Sequence, residues 1–294
     1  MISIAMTTYN GERYLREQLD SILSQTVKDF ELIVCDDCST DGTWNILEEY
    51  KGKDKRISVF RNDGNLGFKK NFEKAISLCK REYVALSDQD DIWQTTHLET
   101  LLSIIGSKML ACGNANLIDG NGKKIGLTLA EMESLDALSS DGLSQAYTIT
   151  YFRSAFQGAS MLVKRDFLEK ALPIPDGANF HDSWFALLSC FCGGMAYTFD
   201  VVNNYRFHGH NVTGNRTKRK SKIQDFLFQV IYSGMTYDRE FLLQSIKERI
   251  DGLTEEEIEF IDGALARIKR AHSLLGRICN IPFRLINFKK IYSC

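Results

Sequence analysis

The chain has 294 residues, of which 44% are hydrophobic and 25% are charged. This composition is that of an ordinary globular protein and excludes a disordered, collagen-like or fibrous chain. A formal net charge of −2 gives no general attraction to nucleic acid, so we expect no nucleic-acid partner. The charge is unevenly distributed, because residues 1–215 carry 21 basic and 28 acidic side chains whereas residues 216–294 carry 15 and 10. We predict a first domain over 1–215 and a basic, mostly helical extension over 216–294.

Apolar runs and helical periodicity alternate along the first third of the chain. The predicted order is strand 2–6, a helix with Leu15, Leu19, Ile22 and Leu23 on one face, strand 30–35, helix 43–50, strand 57–60, helix 68–79 and strand 83–86. This rhythm requires a mostly parallel sheet flanked by helices. Polar strings at 7–11, 36–43 and 87–91 directly follow strands, and such strand ends are where α/β sheets bind ligands. We expect the three strings to meet in one crevice.

The pattern becomes mixed after residue 105. We predict the following remaining elements: helix 92–104, a strand near 109–115, a turn at 119–122, a polar segment over 131–146 that can be mobile, strand 158–163, helix 184–192, a strand at 195–199 near the sheet edge, a last strand at 205–208, a charged connector at 216–222, and amphipathic helices within 223–250 and 255–275.

Signals for secretion and membrane insertion are weak. The N-terminus lacks a basic leader region, and the eight cysteines form no zinc-type CxxC pair, which favours a reducing cytoplasm. The longest uncharged stretch, 183–199, is at the lower limit for spanning a bilayer and contains two adjacent glycines. A buried helix followed by a strand is the better prediction for it.

Carboxylates cluster at the end of the strand at 83–86. Asp88 and Asp90 belong to an acidic run in which two side chains can converge on Mg²⁺ or Mn²⁺, the metals that clamp a diphosphate. The alternative is a solvated acidic turn that caps the helix at 92–104. At the end of strand 30–35, Asp37 can accept the imide N–H of a pyrimidine, whereas Ser39 and Asp41 are typical of a turn and helix cap.

Four further side chains are candidates for a binding or catalytic role. Lys69 and Lys70 lie in the first turn of a helix, where a lysine opposes the helix dipole and suggests a bound anion, although solvated lysines fit equally well. Asp182 precedes an apolar helix and is either a general base or the N-cap of that helix. His208 follows the last strand and is either a surface residue or a metal ligand.

Taken together, these strings resemble a known family. Residues 7–11, 24–26, 30–43 and 86–93 are similar, in order and spacing, to motifs of the inverting glycosyltransferases of family 2, which have the GT-A fold, a Rossmann-like α/β fold of nucleotide-diphospho-sugar transferases. The resemblance covers roughly residues 1–215. Within the family, segments 87–93, 156–161 and 205–209 look most like rhamnosyltransferase-type members that build bacterial cell-surface polysaccharides.

The resemblance implies a role for each matching residue. It places the pyrimidine nucleoside on Thr7, Tyr9 and Asp37, the ribose and phosphates near Asp88, and the diphosphate near Lys69 or Lys70. It places Mn²⁺ or Mg²⁺ on Asp90, with His208 as an additional ligand. It makes Asp182 the general base and places the acceptor beside His181, Trp184 and Gly158. One departure is that many members have Glu-Asp where this chain has His181-Asp182.

The implied function is a metal-dependent, inverting transfer of a sugar, with rhamnosyl favoured, from a dTDP- or UDP-linked donor to a saccharide acceptor. Transfer from a UDP-hexose or a UDP-N-acetylhexosamine is the alternative within the family. A nucleotidyltransferase is disfavoured because residues 7–11 are not a glycine- and lysine-rich phosphate loop. A catalytically inactive nucleotide-sugar-binding module is disfavoured because every expected functional position is filled.

The C-terminal tail has a pattern of its own. From Arg267 to Lys290 it holds seven basic residues and no carboxylate, interleaved with apolar side chains. Such a segment can lie on anionic lipid and hold the protein at the inner face of the cell membrane, near a lipid-linked acceptor. A helix that closes a C-terminal bundle or a dimer contact is the alternative.

Overall fold

The structure is a computed structural model that describes residues 2–133, 135–151, 156–208 and 237–271. The predicted connector at 216–222, the domain boundary at 215 and most of the basic tail lie outside the described residues. Predictions about these segments, including membrane association through the tail, therefore stay predictions.

A twisted sheet of nine strands forms the centre of the molecule. Its strands are β1 (Ile2–Thr8), β2 (Phe30–Asp36), β3 (Ile57–Arg61), β4 (Tyr83–Ser87), β5 (Ile92–Trp93), β6 (Leu110–Asp119), β7 (Lys124–Thr128), β8 (Met161–Lys164) and β9 (Met195–Phe207). The order is β3-β2-β1-β4-β8-β6-β9-β5, and β7 pairs with β6 off this path. The first four strands are parallel, as are β6 and β9, whereas β8, β7 and β5 are antiparallel to their neighbours. The predicted mostly parallel sheet is confirmed.

Helices cover both faces of the sheet. They are α1 (Leu15–Leu23), α2 (Thr43–Lys53), α3 (Phe68–Leu78), α4 (His97–Ile105), α5 (Leu129–Met132), α6 (Gly142–Tyr151), α7 (Arg165–Ala171), α8 (His181–Cys190), α9 (Tyr237–Arg249) and α10 (Glu255–Arg270). Side chains of β1 alternate between the two cores: Ile4 and Met6 pack with α1, α2 and α4, while Ala5 packs with α3 and α8. This alternation follows from the two-residue period of a strand and explains why every residue of β1 is buried.

Three predicted elements differ in the structure. The helix predicted over 92–104 begins only at His97, because Ile92 and Trp93 pair with β9 instead. The two short strands predicted at 195–199 and 205–208 are one continuous strand, β9, which lies inside the sheet between β6 and β5 rather than at its edge. The strand predicted at 158–163 begins with a 3-10 turn over Gly158–Ser160.

The polar segment over 131–146 holds more regular structure than its weak periodicity predicts. Thr128 and Glu131 form a capping box that starts α5. In α6, the buried Gln145 donates through its amide to the Met195 carbonyl at 2.8 Å and accepts from the Met195 N–H at 2.8 Å. A buried polar residue thus fixes α6 to the start of β9.

The described part of residues 216–294 is helical, and it packs into the same core as α8. Leu242 and Ile246 of α9 and Ile261 of α10 are fully buried in the same cluster as Trp184 of α8. The Arg249 guanidinium also lies 5.2 Å from the centre of the Trp184 indole. Within the described ranges, no helix is long and apolar enough to cross a bilayer.

A buried histidine at the start of α4 makes stability depend on pH. The ring of His97 stacks on Trp93 with centroids 3.8 Å apart, and its Nδ1 donates to the Val202 carbonyl at 2.9 Å. Burial lowers the pKa of His97 from 6.5 to about 3. Since the unfolded chain binds this proton first, the stability contributed by neutral His97 is complete above pH 6.5 and is lost as the pH falls from 6.5 towards 3.

We therefore expect His97→Gln, which keeps an N–H donor but does not titrate, to reduce the loss of stability in acid. Urea unfolding at pH 8 and pH 5 gives the unfolding free energy of both proteins. Between pH 8 and pH 5, wild type should lose about 2 kcal/mol more unfolding free energy than the variant. A difference that is the same at both pH values would mean that His97 is not held neutral by burial.

Candidate active site

The loops after β1, β2 and β4 meet at the carboxyl ends of these strands, as predicted. The Asn10 N–H donates to Ser39 Oγ at 2.9 Å, which joins the first loop to the second. The side chain of Gln89 joins the first loop to the third, because its Oε1 accepts from the Tyr9 N–H at 2.8 Å and its Nε2 donates to the Tyr9 carbonyl at 3.0 Å. The predicted crevice is therefore held together by side-chain-to-backbone bonds.

Gln89 is a site residue that sequence reasoning missed. Its amide lies directly over Gly11, where an added Cβ would come within 2.2 Å of Gln89 Oε1. Gly11 is thus small because Gln89 must approach the backbone. The only sequence signal for this role is the position of Gln89 between the two carboxylates of the acidic run.

The three residues predicted to hold a nucleoside lie at or next to these loops, in different environments. Tyr9 is 48% exposed, whereas Thr7 and Asp37 are buried. The carboxylate of Asp37 accepts from the backbone N–H groups of Leu66 and Gly67 at 2.8 and 2.9 Å, and from the amide of Asn62 at 2.7 Å. A carboxylate offers about four acceptor positions, and these bonds use three of them.

The two lysines of α3 bond to neighbouring protein groups. Lys69 donates to the carbonyls of Asp176 and Ala178 at 2.9 and 2.7 Å, which ties α3 to the segment before α8. Lys70 pairs with Glu73 at 2.9 Å on the surface. These contacts give both lysines a structural use, and their assignment to a diphosphate stays a prediction.

Four carboxylates share the centre of the site. Burial raises the pKa of Asp88 well above its usual range, and the nearby carboxylates of Asp90, Asp91 and Asp182 raise it further. Asp182 comes from α8, almost a hundred residues away in sequence, so the fold brings the predicted base to the acidic loop. Negative charge concentrated in a partly buried place favours a cation or a proton there.

Asp90 and His208, the two predicted metal ligands, are direct neighbours. Asp90 Oδ2 lies 2.7 Å from His208 Nε2, and the His208 ring stacks on Tyr14 with centroids 5.1 Å apart. Among the described residues no group of three or more His, Cys, Asp or Glu is arranged to hold a metal alone. The pair still fits Mg²⁺ or Mn²⁺, because such ions are commonly held by one or two protein ligands together with substrate phosphates.

Asp91 and Arg206 support this pair, and sequence reasoning missed both. The Asp91 carboxylate is fully buried and accepts from Gln157, Asn203 and the Arg206 N–H at 2.8 to 3.0 Å. Burial, followed by the charge of Asp90, raises the pKa of Asp91 to about 7. These contacts fix the acidic loop against β9.

The Arg206 side chain is buried beside Asp90. It donates from Nε to the Asp90 carbonyl at 2.7 Å and from Nη2 to Glu17 at 2.5 Å, and its guanidinium lies 4.6 Å from the centre of the Tyr14 ring. The backbone at Asp90 is therefore positioned by a residue only two places before His208. An arginine within an otherwise apolar strand end is the signal that could have identified it.

Asp182 is not the N-cap residue of α8. The N-cap of α8 is Phe180 in extended conformation, and Asp182 lies inside the first helical turn. Its Oδ1 accepts from the Ser183 N–H at 2.6 Å. The side chain is half-buried and close enough to Asp88 to raise the pKa of that carboxyl.

The residues predicted for the acceptor side have unequal positions. Trp184 is fully buried and donates from its indole to the Ala171 carbonyl at 2.7 Å, so its assignment to the acceptor is wrong: it is a core residue. His181 is 6% exposed, its ring lies 4.2 Å from that of Phe72, and burial lowers its pKa. Gly158 provides the space for this ring, since an added Cβ would lie 2.5 Å from His181 Nε2.

The protein-family model for glycosyl transferase family 2 matches residues 3–170. The dTDP-rhamnosyl transferase RfbG of Shigella flexneri is 29% identical over 235 residues, which are 74% of this chain and 76% of that protein. The matched segments span less than half the length of the first curated relatives, 35% of one and 44% of the next.

Two solved structures are similar to this one. The crystal structure of S. aureus TarS 1-349 has a TM-score of 0.60 at 20% identity and covers 92% of this chain and 71% of that chain. The mannosyltransferase PcManGT from Pyrobaculum calidifontis, in complex with GDP-Man and Mn²⁺, has a TM-score of 0.53 at 17% identity and covers 99% and 82%. At these identities the likeness shows the fold alone, and it confirms the predicted GT-A fold.

The contact between Gly158 and His181 can be tested by adding one methyl group. We expect Gly158→Ala to lower the unfolding free energy by about 1–3 kcal/mol, because the methyl group displaces a ring packed in the core. The matched control is Gly64→Ala, where an added Cβ meets no atom within 4 Å.

Urea unfolding measures both variants, and a double variant isolates the contact. In a His181→Ala background, Gly158→Ala should be nearly neutral, since the ring is gone. If Gly158→Ala destabilises both backgrounds equally, the His181 ring is not the reason why residue 158 must be glycine.

Proposed function

Since the chain belongs to glycosyl transferase family 2, we propose that it transfers a sugar from a pyrimidine nucleoside diphosphate to a saccharide acceptor with inversion at the anomeric carbon. The observation that carries the proposal is the meeting of Asp182 on α8 with the acidic loop at the end of β4. A carboxylate on one side of a crevice and a cation-attracting loop on the other are the two groups that such a displacement requires.

The reaction follows from these positions. An acceptor hydroxyl beside Asp182 gives its proton to the carboxylate while its oxygen forms a bond to the anomeric carbon. The bond from that carbon to the diphosphate breaks on the opposite face, and the nucleoside diphosphate leaves with the electron pair. Configuration inverts because attack and departure are in line. Holding both substrates in this geometry removes much of the entropic part of the barrier.

The donor nucleoside fits the crevice between the loops after β1 and β2. The remaining acceptor position of Asp37 can receive the imide N–H of uracil or thymine, and the exposed ring of Tyr9 offers a surface for the base. Thr7 lies at the floor between them. The solved complexes of TarS with UDP and of PcManGT with GDP-Man show that this fold accepts either base, so the pyrimidine assignment rests on Asp37.

Asp90 and His208 would hold Mn²⁺ or Mg²⁺ beside this crevice. When bound, the metal supplies positive charge that neutralises the diphosphate. The residues of this chain prepare the place: Arg206 fixes the Asp90 backbone, and Tyr14 stacks on His208. The Mn²⁺ complex of PcManGT supports metal dependence in this fold.

We favour dTDP-rhamnose as donor and bacterial surface polysaccharide as product, because RfbG matches about three quarters of both chains. A panel of dTDP-rhamnose, UDP-glucose and UDP-N-acetylglucosamine, each with Mn²⁺, tests this choice through release of the nucleoside diphosphate. Release only from a UDP-sugar would contradict the rhamnosyl assignment. Binding without release from any donor, in the presence of acceptor, would favour an inactive binding module.

Asp182→Asn should lower the rate of transfer by about 10²–10⁴-fold, because the variant cannot accept a proton. Donor affinity should stay within about twofold, since Asp182 is on the acceptor side. The control is Asp176→Asn, which neutralises an exposed carboxylate six residues earlier. Initial rates and calorimetric nucleotide affinities check both expectations. A variant that transfers at the normal rate would exclude Asp182 as the base.

Asp90→Asn should remove the gain in nucleotide affinity that Mn²⁺ provides, a loss of about tenfold or more, equal to 1.4 kcal/mol per factor of ten. Thermal-shift titrations with UDP or dTDP, with and without Mn²⁺, measure it, because ligand binding to the native state raises its stability. Asp29→Asn, an exposed residue before β2, is the control. Affinity that still rises with Mn²⁺ in the Asp90 variant would place the metal elsewhere.

A further inference from the structure

The first turn of α9 lies against the segment that carries the proposed base. Asp238 accepts through Oδ1 from the Asn179 N–H at 2.9 Å. The Phe241 ring covers Gly177, where an added Cβ would come within 2.3 Å of the ring. These two contacts flank residue 239. They hold the start of α9 against Gly177 and Asn179, which lie five and three positions before Asp182 in the chain.

Arg239, in this turn, has a guanidinium nitrogen without a hydrogen-bonding partner among the described residues. Its Nη1 is excluded from solvent, and no group in the described part of the chain accepts a hydrogen bond from it. Burial lowers the pKa of Arg239, while the carboxylates of Asp238 and Asp182 oppose this change. Both carboxylates are therefore near Arg239. Their hydrogen bonds, however, come from the N–H groups of Asn179 and Ser183.

An arginine in this position is unfavourable for folding. The residue as a whole is partly buried, but its Nη1 is shielded from solvent. A guanidinium stays charged in proteins, and a shielded charged donor without an acceptor lowers stability. Two other arginines of this region have acceptors: Arg206 bonds Glu17 and the Asp90 carbonyl, and Arg249 bonds the Ala171 carbonyl at 3.3 Å. Arg239 thus differs from them in lacking a structural partner.

We propose that Arg239 forms an oxyanion subsite on the acceptor side of the site and binds a phosphate group of the acceptor. The proposal rests on the proposed function. The acceptor side follows from the proposed reaction and from the proximity of Arg239 to Asp182, because the hydroxyl that Asp182 deprotonates attacks from the face opposite the leaving diphosphate. A planar guanidinium binds phosphate through two parallel hydrogen bonds, and this fixes the orientation of the group it holds.

The subsite would position the acceptor for the proposed reaction. A phosphate held by Arg239 anchors the neighbouring sugar so that one hydroxyl lies at Asp182, which raises the effective concentration of the nucleophile. The subsite also gives a use to the contacts at Asn179 and Gly177, because these contacts fix the helix that carries Arg239. The C-terminal extension would then contribute directly to substrate binding.

The experiment uses the full chain and inorganic phosphate as the probe, followed by ³¹P NMR line width. UDP and Mg²⁺ are present at saturation, so the donor diphosphate position is filled. We expect wild type to bind phosphate under these conditions and Arg239→Gln to weaken that binding about tenfold or more. Arg239→Lys should retain part of the affinity. Lys247→Gln removes the same charge from an exposed ion pair on the same helix and should change nothing.

Three outcomes would overturn the proposal. Phosphate binding that disappears when UDP is added would assign Arg239 to the donor diphosphate. Equal phosphate affinity in Arg239→Gln and wild type would remove Arg239 from any oxyanion site. A melting temperature several degrees lower in Arg239→Gln would show a structural role, whereas a functional unpaired charge predicts an unchanged or higher value.

The proposed function and the subsite fail in different ways. A chain that binds phosphate through Arg239 but transfers no sugar with any donor would overturn the proposed function and leave the oxyanion subsite standing. A chain that transfers sugar at the wild-type rate and acceptor KM after Arg239→Gln would overturn the subsite alone. Asp182→Asn, which lacks the base, should bind phosphate at least as well as wild type.

Discussion

The structure depends on holding mutually repelling carboxylates close together at the end of β4. Asp88, Asp90 and Asp91 are adjacent in the chain, and the fold adds Asp182 to them. Such crowding opposes folding unless other groups compensate for it. Asp91 accepts from three donors, which partly offset the effect of burial and of Asp90, whereas no described donor bonds to the Asp88 carboxylate. The imbalance marks Asp88 and its neighbours as the place where a positive partner belongs.

The supporting groups come from distant parts of the chain. Arg206 reaches Asp90 from β9, more than a hundred residues later, and Gln157 reaches Asp91 from the turn before β8. β9 can do so because it is one long strand that passes through the sheet interior and ends beside the acidic loop. The topology of the sheet therefore determines the geometry of the site, and His208 lies next to Asp90 because it directly follows this strand.

The sequence was sufficient to predict the alternating strands and helices of the first third of the chain. It was also sufficient to predict that the loops after β1, β2 and β4 meet. Apolar runs such as β2 and the stripe of α1 are local patterns, and the parallel order follows from their alternation. It was insufficient where a residue's role depends on a distant partner. Trp184 was predicted to lie beside the acceptor but is buried, with its indole bonded to the Ala171 carbonyl. For Asp182 the sequence also allowed an N-cap, but α8 begins one residue earlier. Gln89 is defined only by its contact with the β1 loop.

Two ionisable groups near Asp182 lack hydrogen-bonding partners among the described residues. The Asp88 carboxylate has a raised pKa and receives no donor, and the Arg239 guanidinium of α9 has a nitrogen without an acceptor. They do not neutralise each other, because each is fixed to its own element: Asp88 by the acidic loop and Arg239 by the anchored turn at Asn179. A metal with a nucleoside diphosphate complements the first, and an anionic acceptor complements the second. The protein alone is therefore electrostatically incomplete, and binding both substrates is what completes it.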